Sequence, residues 1–499
     1  MSDKRLTYAF GPLERRGILG PLRPGQAAVL AGGALLAIVL LDRSPSPTGA
    51  LGALFAFAVA LGASFAPLAG RTAQEWVPVA TSFVARRAIG RSRFTSAAPA
   101  NRSLTRGLGR GRAPSLSEPR PQAPSPLHGV RIMEAAYRQR TIGVLSEHAG
   151  RRLTAVLACR VVAFSLLDPE AQERRLARWG LVLSGAGASP IRRLQWIERT
   201  APAQGDELAR WVHAERDPAV PPRGTPMIES YLELIGTTAR VTQEHEILLA
   251  VQVDARRVRG RGDGTVANGL VEQTEHVAKG LEAAEVTVLG ALSAGQLARA
   301  LRTAFDPYAR SELAGLEAAD PDRDGLAEGG AWPLGAREFW DHYHSDGALH
   351  ATYWIAAWPR TEVSPMFMDA LLGSSSAVRS VAVTFEPLPT ERSVREIEAA
   401  VTRDRADREL RARFGQSETA RQRQARDATV RREAELAAGH GEVRLSGFVT
   451  VSGRDPDDLR RGCSEVLDHA ARAHLELRRC YGQQADAFTF TLPLCRGLR

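Results

Sequence analysis

The sequence is nearly free of lysine. Of its 65 basic residues, only Lys4 and Lys279 are not arginine. A P-loop needs Gly-Lys-Ser/Thr so that the lysine reaches the β- and γ-phosphates. Here Lys4 precedes Arg5, and Lys279 precedes Gly280 and Leu281, so no Walker A motif exists in this sequence. Cysteine is also scarce. Cys159, Cys463, Cys480 and Cys495 are too few for a disulfide scaffold, and no pair has the C-x-x-C spacing of a zinc ribbon or redox site. Aromatic residues make up 6%, so the cores must be largely aliphatic. Neither a G-x-S-x-G elbow nor an H-E-x-x-H zinc motif occurs.

Two long stretches lack charge. One runs from Ala27 to Leu41, the other from Ala50 to Gly70. A membrane-spanning helix needs about 20 apolar residues. The second run meets that length, and the first reaches the low end of the range, roughly 17–25, only when Pro24–Gln26 are included. A polar turn, Asp42-Arg43-Ser-Pro-Ser-Pro-Thr48, separates them. Arg15, Arg16 and Arg23 precede the pair; Arg71, Arg86, Arg87, Arg91 and Arg93 follow it. The positive-inside rule then places both ends in the cytoplasm and the turn outside. The expectation is a two-helix transmembrane hairpin over 1–70 in a multi-pass plasma-membrane protein, with the bulk of the chain cytoplasmic.

The net charge of +9 is not spread evenly. Residues 71–131 hold eleven arginines against Glu75 and Glu118. Within 71–96, Trp76, Val79, Phe83 and Val84 fall near one helical face. This reads as an amphipathic basic helix at the lipid interface, with Trp76 at headgroup level and Arg71, Arg86, Arg87, Arg91 and Arg93 on the anionic leaflet. Residues 97–128 are rich in Pro, Arg and Gly and read as a tether. Direct nucleic-acid contact by its arginines is left open.

The remainder reads as α+β: two cytoplasmic α/β lobes with mixed sheets, 129–332 and 333–499. Asp168-Pro169, Ser293 and Asp455-Pro456 are helix starts. Residues 397–436 form a long charged helix or helical pair, broken near Gly415. Met366 to Leu372 reads as a helix, and Ala487 to Leu492 as a closing strand. Two strand–helix–strand units, from Ile247 through 271–284 to Leu289 and from Leu445 through 458–474 to Leu477, suggest an internal repeat.

Two polar clusters invite a metal reading. Asp320-Pro-Asp322-Arg-Asp324-Gly325 resembles the start of an EF-hand loop, but its twelfth position is Ala331 instead of a bidentate glutamate. Asp341, His342, His344, Asp346 and His350 could line a site for a membrane enzyme, or form a polar hairpin turn. The plainer reading is taken for both: no metal, no cofactor and no catalytic residue is assigned.

Gly70-Arg-Thr-Ala-Gln-Glu-Trp-Val-Pro78, directly after the apolar pair, resembles the PrgI-like membrane proteins of conjugation systems. The soluble part resembles the non-ATPase region of TraC/VirB-type conjugation ATPases. Its matching motifs are Leu194-Gln-Trp196-Ile-Glu-Arg199, Leu301-Arg-Thr-Ala-Phe-Asp306-Pro307, Tyr353-Trp-Ile-Ala-Ala-Trp358-Pro359-Arg360, Ser446-Gly-Phe-Val-Thr450, Gly482-Gln483-Gln484 and Leu492-Pro493-Leu494. The resemblance implies a non-catalytic, membrane-anchored subunit of an actinobacterial type IV secretion-like DNA-transfer system. It would dock a separate conjugation-type ATPase and bind membrane lipid, with self-association left open. The alternative is an EccE-like component of type VII secretion, which also pairs two membrane helices with a cytosolic α/β domain.

Overall fold

A computed structural model describes residues 24–65, 67–68, 71–96, 123–137, 140–161, 164–202, 226–241, 243–258, 263–310, 313, 326, 328–359, 361–373, 375–413, 420–437 and 441–498. The Asp320–Gly325 loop and most of the Pro/Arg/Gly tether lie outside them. The chain divides into two compact units. One comprises 12–92 with 481–483; the other comprises 1–11, 93–480 and 484–499.

The smaller unit contains helices α1 (Pro24–Arg43) and α2 (Pro47–Phe65), the two-residue strands β1 (Pro67–Leu68) and β2 (Arg71–Thr72), and helix α3 (Ala73–Ala88). A three-residue link folds α2 back on α1. The Gln26 amide donates to the Ser64 carbonyl at 3.0 Å, and a side chain at Gly33 would collide with Ala60. Thr72 caps α3, with Glu75 accepting from the Thr72 N–H at 3.1 Å to complete a capping box.

The larger unit is built on one sheet of 13 strands, and every described strand pair in it is antiparallel. In chain order it begins with β3 (Arg93–Thr95), β4 (Arg131–Tyr137), β5 (Arg140–Glu147) and β6 (Arg152–Arg160). Helix α4 (Pro169–Gly187), β7 (Ile191–Pro202), α5 (Pro226–Val241), β8 (Gln243–Asp254), α6 (Asp263–Ala283), β9 (Thr287–Ala291) and α7 (Ala294–Phe305) follow. Next come β10 (Gly335–Glu338), β11 (Tyr343–Ser345), β12 (Ala348–Ala357), α8 (Asp369–Leu372), β13 (Val378–Pro387), α9 (Thr390–Arg413) and α10 (Ala420–Ala437). The chain then runs through β14 (Val443–Gly453), α11 (Pro456–Arg472), β15 (Glu476–Arg479) and α12 (Gln484–Phe488).

The spatial order shows a duplication. In the first half, β6-α4-β7-β8-α6-β9 lies as β9-β6-β8-β7; in the second, β12-α8-β13-β14-α11-β15 lies as β15-β12-β14-β13. Each is a β-α-β-β-α-β unit of the split-βαβ kind. Each also carries a leading hairpin, β4-β5 beside β6 and β10-β11 beside β12. The halves join strand to strand, Leu194–Thr200 of β7 against Phe385–Arg379 of β13. Two lobes with separate mixed sheets are therefore corrected to one continuous antiparallel sheet. Sequence reading separates such halves because their junction is a pairing between strands nearly two hundred residues apart, which leaves no local signal.

Alternation along each strand sends side chains to opposite faces. On β8, Leu248 and Ala250 enter the core beneath α7, while Leu249, Val251 and Val253 enter the cores beneath α4 and α6. Helix α11 covers the second half with Leu459, Cys463 and Val466 against Val381, Val449 and Val451. Fully burying one such side chain stabilises by roughly 1.5–3 kcal/mol. The predicted helix starts are present: Asp168 accepts from Ala171 N–H, Ser293 forms a capping box with Gln296, and Asp455 accepts from Asp457 and Asp458 N–H.

The segment after β15 departs from its expected form. Residues 487–492 are not a strand; α12 and a 3-10 turn, Thr489–Thr491, lead into a strap across the sheet face that α7 also covers. The strap explains the inward polar residues of β7 and β8. The Gln195 amide donates to the Phe490 carbonyl at 2.7 Å and accepts from the Cys495 N–H at 2.7 Å. Gln252 donates to the Leu494 carbonyl at 3.1 Å. Thr384 donates to the Arg496 carbonyl, and Arg193 to those of Cys495 and Leu498. The expected Met366–Leu372 helix is shorter, confined to Asp369–Leu372.

Candidate membrane unit and family-motif residues

Among the described residues one helix, α2, is long and apolar enough to cross a membrane, by length and composition. Helix α1 is of similar length and carries the uncharged stretch Ala27–Leu41 before ending in Asp42-Arg43, but only α2 supports the expectation of a spanning pair directly. Both helices expose their apolar side chains, among them Leu35, Leu36, Ile38, Leu51, Leu54 and Phe55. An exposed apolar surface of this extent marks a membrane or partner contact.

Helix α3 is amphipathic as its spacing implies. Val79 and Phe83 are buried, Trp76 is half-buried, and Arg87 is exposed. Val84 is exposed rather than on the buried face, because it lies about 100° around the helix from Phe83. Trp76 packs on the Tyr481 ring of the same unit, with centroids 6.0 Å apart, and Arg86 donates to the Gly482 carbonyl at 2.6 Å. Arg71 lies on β2, and Arg91 is exposed in the turn after α3. Arg93 is not on the helix: it opens strand β3 of the large sheet, paired with Arg337 of β10.

The motif residues lie inside the fold. Trp196 of β7 contributes to the apolar cores of both halves at their junction. Asp306 ends α7 and accepts from the Tyr308 N–H at 3.2 Å, and the buried Pro307 opens a 3-10 turn. Trp358 packs into the α11 core, and Pro359 is buried beside it. Gln484 is fully buried: its oxygen accepts from the Thr352 N–H at 2.8 Å and its nitrogen donates to the Thr352 carbonyl at 3.3 Å. Gln483 is half-buried, and Pro493 is buried within the strap. These positions hold the sheet together; they do not converge on a cleft.

The histidine cluster is dispersed. Asp341 holds His342 at 2.8 Å; burial pushes the Asp341 carboxyl up, but the hydrogen bond from His342 and the nearby Arg479 guanidinium keep it below its usual range. Asp346 pairs with Arg302. His344 is exposed on the opposite face of its strand from Tyr343 and Ser345. His350 is fully buried, with Nδ1 2.8 Å from the Ser452 hydroxyl and Nε2 2.9 Å from the Phe305 carbonyl. That geometry makes Nε2 the protonated nitrogen and Nδ1 the acceptor. Burial pushes its pKa down to about 4. Among the described residues no three His, Cys, Asp or Glu side chains are grouped to hold a metal ion.

Sequence reasoning missed an open cleft beside α8. Val363, Met366, Phe367 and Ala370 line it, with Arg472 and His474 at the end of α11.

Comparison with known families bears on residues 241–355, which match the family described as "Putative type VII ESX secretion system translocon, EccE". The matched segment runs from β8 through α6, β9 and α7 into β12, across the end of the first half and the start of the second. No curated protein matches the chain. The finding corrects the assignment to type IV secretion, conjugation and an associated ATPase. The short motifs behind that assignment are sheet, cap and strap residues of this fold. Over residues 241–355 the chain is similar to a putative component of the type VII translocon.

Proposed function

We infer that the chain is a non-catalytic, membrane-anchored component of a type VII secretion translocon. The observation that carries this reading is the EccE-family match over 241–355. The apolar helix α2 and the exposed apolar surface of α1 support the anchor. On this reading α1 and α2 form a two-helix hairpin with both ends cytoplasmic, since arginines flank the pair and only Arg43 lies at the turn. The large sheet then lies in the cytoplasm and presents surfaces to other translocon subunits. The partners are those subunits and membrane lipid. A tether of this kind acts by raising the local concentration of what it holds.

No catalytic role is proposed. The polar residues best suited to chemistry are engaged in the fold: His350 bridges β11, β12, β14 and the end of α7, and Asp346 neutralises Arg302. Purification of the tagged full chain from native membranes in mild detergent tests the proposal. Translocon subunits of the type VII machine should co-purify in fixed ratio. Recovery of the chain alone under conditions that preserve other membrane complexes would contradict it.

A further inference from the structure

At one end of the large sheet, two arginines and a histidine stand in a row across neighbouring strands. Arg93 of β3 is directly opposite Arg337 of β10, and Arg337 is directly opposite His344 of β11. Directly opposed residues of an antiparallel pair project from the same face, so the three share one surface. Their alternating neighbours Ala336, Tyr343 and Ser345 are buried on the other face. The next residue in the row, Leu349, packs into the α11 core, which identifies the row's face as the one that α11 covers further in. Helix α11 packs over β12 and β14, and α4 and α6 over the first half. Arg93 and His344 remain exposed, and Arg337 is half-buried with its guanidinium 4.7 Å over the Phe339 ring.

Like charges directly opposite one another cost a sheet stability. None of the three forms an ion pair among the described residues. The nearby acids are used elsewhere: Asp341 by His342 and Arg479, Asp346 by Arg302. An uncompensated basic row on an open sheet face is complementary to an anionic surface. In the sequence only residues 89–92 separate Arg93 from α3, the basic helix that follows the apolar pair. Trp340, partly exposed at the tip of the same hairpin, has the amphipathic ring that favours a headgroup layer.

We propose that Arg93, Arg337 and His344 form a second lipid contact, a cross-strand row that docks the edge of the large sheet on anionic phosphate headgroups. The proposal rests on the membrane reading above. It adds a surface that is separate from the anchor and selective for headgroup charge.

The test uses the full chain in lipid nanodiscs, with a fluorophore on an introduced Leu334→Cys, an exposed position just before β10; the four native cysteines are buried. Headgroup-level quenching reports docking. In discs containing phosphatidylglycerol the probe should be quenched; in pure phosphatidylcholine discs it should not. A basic residue near an anionic surface contributes about 1 kcal/mol. Arg93→Gln and Arg337→Gln should therefore each lower the docked-to-undocked ratio about fivefold. Arg460→Gln, on the exposed face of α11, should leave it unchanged. Equal quenching in both kinds of disc, or none in either while the chain stays embedded, would overturn the row and leave the anchor standing. Loss of the chain from the discs would defeat the anchor itself. Release by inorganic phosphate beyond that caused by chloride of equal ionic strength would make the row a free-phosphate site. Capture of duplex DNA in preference to phosphatidylglycerol would make it a nucleic-acid contact. Either result would overturn the lipid assignment.

Discussion

Gln484 is bound to both backbone groups of Thr352, accepting from its N–H at 2.8 Å and donating to its carbonyl at 3.3 Å. Thr352 sits at a gap in the sheet. On one edge of β12, pairing with β11 ends at His350 and pairing with β15 begins at Tyr353. A buried peptide left without partners costs stability. The amide of Gln484 fills the gap as a single residue of strand would, and the Cys480 N–H joins it on the Thr352 carbonyl at 3.0 Å.

Gln484→Leu should therefore destabilise the large unit by about 1–3 kcal/mol, because the buried Thr352 N–H loses its partner while the Thr352 carbonyl keeps the Cys480 N–H. Gln484→Glu keeps an acceptor and loses the amide donor, and it adds a buried charge. It should unfold at least as early as Gln484→Leu. Thermal unfolding of the detergent-solubilised chain checks both; an unchanged midpoint for Gln484→Leu would refute the role given to the amide.

Arg193 ties the strap to the sheet. It pairs with Glu386 at 3.0 Å and donates to the Cys495 and Leu498 carbonyls. Breaking a buried ion pair on one side typically costs about 3–5 kcal/mol. Arg193→Met should approach the low end of that range and speed amide exchange in 490–498 before the rest of the sheet. Exchange that accelerates uniformly would contradict a local role.

His350 sets an acid limit. Its pKa in the folded chain is about 4, below the ordinary histidine value of 6.5. The unfolded state therefore binds the extra proton first. Stability from this residue is fully present above about pH 6.5 and falls as pH drops toward 4, by at most about 1.4 kcal/mol per pH unit. The groups facing the ring are the Ser345 and Ser452 hydroxyls, the Phe305 carbonyl and the Phe488 ring, with no carboxylate to stabilise the cation. Unfolding midpoints measured between pH 4 and 7 should slope less steeply in His350→Gln than in the native chain. Parallel slopes would count against this account.

Gly33 allows α1 and α2 to approach, since any side chain there meets Ala60. Close approach through small residues is the usual basis of helix packing in lipid. Gly33→Leu should sharply reduce cross-linking between cysteines placed at Gln26 and Ser64 in membranes, while Gly32→Leu, at a position with open space, should not.

Much of the fold is legible in local signals. Asp168-Pro169, Ser293 with Gln296, and Asp455-Pro456 announce their helices because capping is a matter of adjacent residues. The paired units around α6 and α11 are visible because they are contiguous in the chain. The full duplication is hidden by its unequal crossovers: α4 runs from Pro169 to Gly187, whereas its counterpart α8 is a single turn. Residues 487–492 have strand composition, yet they meet side chains of β7 and β14 instead of a strand edge, and sequence carries no mark of that choice. The apolar helices α1 and α2 are legible from uninterrupted apolar length. The Arg93–Arg337 opposition is not, because it depends on a register between strands far apart in the chain.

Membrane extraction tests the central claim most directly. After detergent-free lysis and an alkaline carbonate wash, the full chain should remain with the membranes and be released only by detergent, and a variant with Leu54→Arg and Phe57→Arg in α2 should lose that retention. Recovery of the native chain in the carbonate supernatant would contradict a membrane-anchored translocon component.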